Sequence, residues 1–348
     1  MKKMKLIISS VLVLGVCLTP LTLPLMVQPS WAQSQDSQIE KLKQLIEQVK
    51  QQERQGEAGQ AIETWQQILA ITRQFKEKKS EAIALNAIAI NYNSISQQQE
   101  ALKYFNQALP IWREVSDRRG EAATLANIGA AYNDISQQQE ALKYFNQALP
   151  IWREVGDRSG EATTLTNIGA AYDSIGQPQE ALKYYNQALP ITRSGGDRRG
   201  EATTLSSMGA AYDSIGQPQE ALKYYNQALP IMRQVGDRAG EAVTLNNIGL
   251  AYNNISQPQE ALKYFNQALP ILREVSDRRG EAATLTNIGA VYDRIGQPPE
   301  ALKYYNQALP IMREVGDRAG EAATLSNIDA VNNRSQPPSR TNIPQTPK

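Results

Sequence analysis

The chain has 348 residues, 36 of them Lys or Arg against 35 Asp or Glu, and no histidine. A charge near zero lacks the basic excess that phosphate contacts require, so no nucleic-acid partner is expected. The absent histidine removes Ser-His-Asp and Cys-His sites and His-ligated metals, and Cys17 is the single cysteine, so no metal or other cofactor is expected.

Lys2, Lys3 and Lys5 precede an apolar run from Leu6 to Val16, and Ser30-Trp31-Ala32 sets small residues before a polar stretch. This is the layout of a cleaved secretory signal peptide over 1–32. It predicts cleavage near Ala32 and export to the periplasm or the outside. An uncleaved anchor is the alternative, because apolar character persists to Val27. Pro20, Pro24 and Pro29 interrupt that tail, whereas a spanning helix takes about 20 uninterrupted apolar residues. No stable membrane insertion is expected after cleavage.

Residues 33–40 read as a linker. Residues 41–80 read as a divergent repeat, since Ala61, Trp65 and Leu69 fall 40 before Ala101, Phe105 and Leu109. From Ile39 to Arg54 the chain is rich in Gln, Lys and Glu, which suits the polar outer face of a terminal repeat. Ala-Leu-Lys-Tyr then begins at Ala101 and returns at Ala141, Ala181, Ala221, Ala261 and Ala301, every 40 residues, so six units fill 81–320. Each unit holds two helical stripes. Leu125, Ile128, Gly129, Tyr132 and Ile135 mark the first, and Ala141, Leu142, Phe145, Ala148, Leu149 and Trp152 the second. Pro178 reads as the first residue of a helix, and Asp157 as an N-cap with Glu161 in the first turn. Pro110, Pro150, Pro190, Pro230, Pro270 and Pro310 fall inside the second helix, where a proline breaks a backbone bond. A bent but single helix is expected there. Residues 321–334 read as a capping half-repeat, in which Asp329 and Asn332 replace the glycine and tyrosine. Residues 335–348, with Pro337, Pro338, Pro344 and Pro347, read as a disordered tail.

Leu125, Ile128-Gly129 and Tyr132 in the first helix, with Ala141, Phe145 and Ala148 in the second, resemble the tetratricopeptide repeat. The match recurs through all six units. It implies an all-α, right-handed solenoid of stacked antiparallel helix pairs, a superhelix with a concave inner face. The 40-residue period and the Gly-Asp-Arg-x-Gly-Glu-Ala segment resemble the long-repeat subclass of Pins-type adaptors and of arrays that precede CHAT protease domains. Gly129, Gly169, Gly209, Gly249 and Gly289 are expected to let paired helices approach closely, with Ala89 in the first unit.

The resemblance implies that the concave face is lined by the first helix of each pair. Its sixth place holds Asn127, Asn167, Asn247 and Asn287, and its twelfth holds Asn133, Asp173, Asp213, Asn253 and Asp293. An amide both donates and accepts, so a ladder of asparagines suits an extended peptide backbone. The alternative is that each asparagine caps or bridges a neighbouring helix. The aspartates favour a ligand with Lys or Arg. The tyrosine ladder, Tyr92 to Tyr292, reads as packing, with the second ring of each Tyr144/Phe145-type pair on the outer face. The arginine row, Arg113 to Arg313, reads as a salt-bridged ridge near Glu114 and Asp117. Paired carboxylates could serve a glycosidase, but a shallow groove offers nothing to raise one pKa, and no catalysis is expected. The function read here is a non-catalytic protein- or peptide-binding scaffold. The alternative is a regulatory array acting in trans on a separate effector such as a CHAT-type protease. Self-association of near-identical units stays open.

Overall fold

The computed structural model describes residues 30–335, which form fifteen α-helices and, among the described residues, no strand. The expected signal peptide and tail lie almost entirely outside these residues. The chain divides after Ile175 into two units. The first contains α1 (Ser30–Gln55), α2 (Ala58–Gln74), α3 (Lys78–Ser94), α4 (Gln98–Glu114), α5 (Arg118–Asp134), α6 (Gln138–Glu154) and α7 (Arg158–Ser174). The second contains α8 (Pro178–Ser194), α9 (Arg198–Ser214), α10 (Pro218–Val235), α11 (Arg238–Asn254), α12 (Pro258–Glu274), α13 (Arg278–Arg294), α14 (Pro298–Glu314) and α15 (Arg318–Ser335). Residues 33–40, expected as a linker, belong to α1. No helix among the described residues is long and apolar enough to cross a membrane.

Helix ends follow from local chemistry. The Asp157 carboxylate accepts from the Gly160 N–H at 3.0 Å, and Asp117 and Asp237 cap α5 and α11 in the same way. This satisfies a backbone donor that the first turn leaves without a partner. At the other end, Asp157 N–H donates to Trp152 O at 3.0 Å across Gly156, whose φ is 68°. That six-residue closure is the Schellman ending, which needs a left-handed residue. Glycine supplies it at Gly156 and Gly216, but serine does so at Ser116, Ser136, Ser256 and Ser276, where φ lies between 55° and 59°.

Pairing follows from small residues. A Cβ on Gly129 would stand 2.6 Å from the Phe145 ring, and one on Gly249 equally close to Phe265. The glycine thus admits an aromatic ring that is itself 1% exposed at Phe145. In the same helix pairs a tyrosine of the odd-numbered helix stacks on a tyrosine of the even-numbered one. Tyr132 and Tyr144 lie 5.4 Å apart, Tyr212 and Tyr224 5.1 Å. Tyr144 therefore does not cover an outer face, as its sequence position suggested. It closes the pair from the end, because its half-buried ring finds a parallel partner one helix away.

Each even-numbered helix carrying a proline runs on as one helix through it, as α6 does across Pro150. Both Pro150 and Asn146, whose carbonyl loses its helical donor, are exposed. Water can satisfy that carbonyl, so the penalty of an interior proline is reduced.

Within each unit, every helix packs on its neighbours in sequence. Odd-numbered helices also come close to the next odd-numbered one, as α3 does to α5 and α9 to α11, while the backbones of even-numbered helices stay farther apart and are bridged by long side chains, as Arg73 donates to Gln107 at 3.3 Å and Arg193 to Gln227 at 3.1 Å. The odd-numbered helices therefore form the inner layer of each unit, and the even-numbered ones fan apart outside.

Candidate functional site

The sixth- and twelfth-place residues all lie on odd-numbered helices, and all are half-buried. In the first unit these are Asn127, Asn133, Asn167 and Asp173. In the second they are Asp213, Asn247, Asn253, Asn287 and Asp293. The inner layer thus carries a polar row in each unit, set by the 40-residue step.

The residues differ in how they are held. Asn287 Nδ2 donates to Asn246 Oδ1 at 3.3 Å, and Thr284 donates to the same oxygen at 3.1 Å. Asn287 therefore bridges neighbouring inner helices. Asn133 Oδ1 and Asn253 Oδ1 are shielded and have no partner within the protein. Turning either amide toward a ligand breaks no bond at that oxygen, so these side chains are adaptable. Asn93, one step earlier, donates to Asp134 at 3.4 Å while its own oxygen stays without a partner.

The carboxylates are also unequal. Asp213 accepts from Asn254 at 3.2 Å, a neutral partner. Asp293 accepts from Arg334 at 2.5 Å, which balances its charge. Arg294 donates to the Asn253 backbone carbonyl at 2.8 Å and leaves Asp293 to Arg334. Burial pushes the Asp173 carboxyl above the usual aspartate range, because desolvation penalises its charged form. Burial, with the Asp293 charge beside it, pushes the Tyr305 hydroxyl up to about 12. Arg334, Asn254 and Asn246 were missed from the sequence. Each lies 41 residues from its partner, an offset that a period of 40 could have suggested.

The arginine row is paired, with partners other than those nearest in sequence. Arg153 donates to Glu161 at 2.8 Å, and Arg158 donates to the other oxygen of that carboxylate at 2.5 Å. Glu161 is only 5% exposed. Arg113 pairs likewise with Glu121 at 2.7 Å, while Asp117 takes Lys79 and Glu114 takes Lys78. The turn between α6 and α7 folds residue 161 back beneath residue 153, so an eight-residue separation becomes a contact.

An all-helical repeat stack with a half-buried Asn/Asp row on its inner layer is the architecture of a helical-repeat solenoid. A family profile for the tetratricopeptide repeat matches residues 52–114, 120–194, 191–234 and 238–328, and the chain belongs to that family. No curated protein matches it in sequence. Among solved structures it is similar to a signal-transduction ATPase with numerous domains and a tetratricopeptide repeat sensor, from Pyrococcus horikoshii. Identity there is 18% at a TM-score of 0.65, covering 78% of this chain but only 41% of that one. It is also similar to apo RapI, at 17% identity and a TM-score of 0.64 over 80% of this chain and 99% of that one. The apo quorum sensor NprR of B. thuringiensis matches at 16% identity and 0.59, over 95% and 98%.

Proposed function

We propose that the chain is a non-catalytic scaffold that binds an extended protein segment along the inner layer of its odd-numbered helices. The observation that carries this reading is the half-buried Asn/Asp row, in which Asn133 and Asn253 keep carboxamide oxygens unclaimed by the protein. An amide of that kind can accept from a peptide N–H without first losing an internal bond at its oxygen. Relatives in fold are in keeping with this. One Rap protein is complexed with competence and sporulation factor, and NprR is a quorum sensor.

A preference for Lys or Arg in the ligand rests on Asp173 and Asp213, since Arg334 already balances Asp293. Export through a signal peptide over 1–32 places the partner in the periplasm or outside the cell. The test captures partners of the full chain from the exporting cell's envelope fraction, beside the combined Asp173→Asn, Asp213→Asn and Asp293→Asn variant. A partner held by the parent and lost from the variant is expected. Equal retention by both would move the binding surface off this row.

A second reading is a regulatory array acting in trans on a separate effector such as a CHAT-type protease. Its support is the archaeal signal-transduction ATPase, whose repeats are a sensor. An effector protease among the captured partners would favour it.

A further inference from the structure

Where α1 and α2 of the divergent first repeat meet α3, the surface forms an open pocket of about 670 Å³. Its walls include Trp65, Ile90 and Ile95, and its one charged lining residue is Glu53. Trp65 Nε1 donates to Glu53 Oε1 at 2.9 Å, and Asn91 Nδ2 donates to the same oxygen at 3.1 Å. Two donors on one oxygen fix the carboxylate and leave Oε2 without a partner among the described residues. Ser94, the remaining polar wall, spends its hydroxyl on the Asn91 carbonyl at 2.8 Å.

Two of these wall residues differ from their equivalents in the later repeats. Ile90 is 51% exposed, where the later repeats hold Ala130, Ala170, Ala210, Leu250 and Ala290. Asn91 stands where they hold Ala131, Ala171, Ala211, Ala251 and Val291. A large aliphatic side chain left half in water has no packing role to explain it, and the asparagine serves to hold Glu53.

We propose that this pocket binds the amino terminus of a peptide whose first residue is aliphatic. The α-ammonium would pair with Glu53, and the first side chain would lie against Ile90, Ile95 and Trp65. The volume is in the range of small-ligand sites, and a lone oriented carboxylate among apolar walls selects a cation carried close to an apolar group. A peptide N-terminus offers that pairing, because its ammonium and side chain leave the same carbon. A lysine side chain fits less well, since its only apolar part is the linear stem behind the charge and it has no branched group beside the ammonium to fill the pocket. None of these residues is among those proposed for the Asn/Asp row, so the two proposals fail separately.

The test measures fluorescence anisotropy of an Ile-Ala-Ser-Gly peptide, labelled at its C-terminus, titrated with the full chain. Its N-acetylated form and an N-acetylated Ala-Lys-Ser-Gly form are titrated alongside. The free peptide is expected to bind about tenfold or more tighter than either acetylated one. Glu53→Gln is expected to remove that difference while leaving the acetylated peptides unchanged. Ile90→Ala, which copies the later repeats at an exposed position, keeps the fold intact and is expected to weaken the free peptide about threefold. The Asp173→Asn, Asp213→Asn, Asp293→Asn variant is expected to bind it as the parent does. Equal binding of free and acetylated peptides, no binding of any, or no effect of Glu53→Gln would overturn the proposal. A lysine peptide as tight as the free one would do so too.

Discussion

Ser136 shows what a single residue concedes to the repeat. It ends α5 at a φ of 58°, a region that costs an L-residue roughly 1–2 kcal/mol and glycine almost nothing. Gly216 and Gly296 occupy the equivalent turns, so the site accepts glycine without rearrangement. Ser136→Gly is expected to stabilise its repeat by about 0.5–1 kcal/mol after glycine's extra chain entropy, read as a higher urea midpoint with unchanged slope. The tryptophans carry a related cost. Trp112 and Trp152 bury indole N–H groups that have no acceptor, and other units hold Thr192, Met232, Leu272 and Met312 at that place. Nothing in the structure explains why these two units keep the indole.

Between elements, the paired helices are held by contact between a ring and a missing Cβ. Gly129→Leu would drive a side chain into Phe145, already 2.6 Å from where a Cβ would sit. A cost of about 3 kcal/mol is expected, near the upper end for overpacking. Hydrogen exchange is expected to place it in α5 and α6, because a repeat stack transmits damage mainly to its neighbours. Protection lost evenly along the chain would contradict that. Gly129→Ala is the milder control, since Ala89 fills the same place in the first unit with Phe105 still 1% exposed. The 3.6-residue spacing of Leu125, Ile128 and Tyr132 made these helices legible in the sequence, and the Asp-x-x-Gly caps and N1 prolines marked their starts. The left-handed serines were not legible, because serine carries no local preference for that region. The stacked Tyr144 was also hidden, since a helical stripe does not say which of two adjacent rings turns inward.

At the scale of the whole chain, ion pairs between successive repeats make stability respond to pH and salt. Arg118 donates to Glu154 at 2.7 Å, Arg238 to Glu274 at 2.7 Å and Arg278 to Glu314 at 2.8 Å. Each arginine holds its glutamate below the ordinary value of 4.5. Burial raises Asp117, but hydrogen bonds from Lys79 and the Gly120 N–H more than offset this, and its carboxyl also lies low. A carboxyl depressed by folding contributes stability that is complete above its unfolded pKa and is lost as pH falls through its folded one. Asp173 acts in reverse, since burial raises it, so acid relieves a cost there. The depressed groups outnumber it, and urea midpoints are expected to hold from pH 7 to about 5 and to fall progressively below pH 4.5. Molar salt at pH 7 is expected to lower them modestly, because these pairs are exposed. A midpoint that rose on acidification would contradict this reading of the pairs.

Helix lengths, turn positions and caps could be read from the amino acids because each rests on residues no more than a few places apart, repeated every 40. The positions of the inner-row asparagines and aspartates came from the same period. Their states did not. Whether Asn133 keeps a free oxygen, Asp293 is balanced by Arg334 or Glu161 sits beneath Arg153 depends on which neighbouring helix faces which, a matter of packing. The Glu53–Trp65–Asn91 cluster lies furthest from legibility. Glu53 and Asn91 depart from the repeat, and only the folding of α1, α2 and α3 onto one another brings a carboxylate, an indole and an amide within hydrogen-bonding distance.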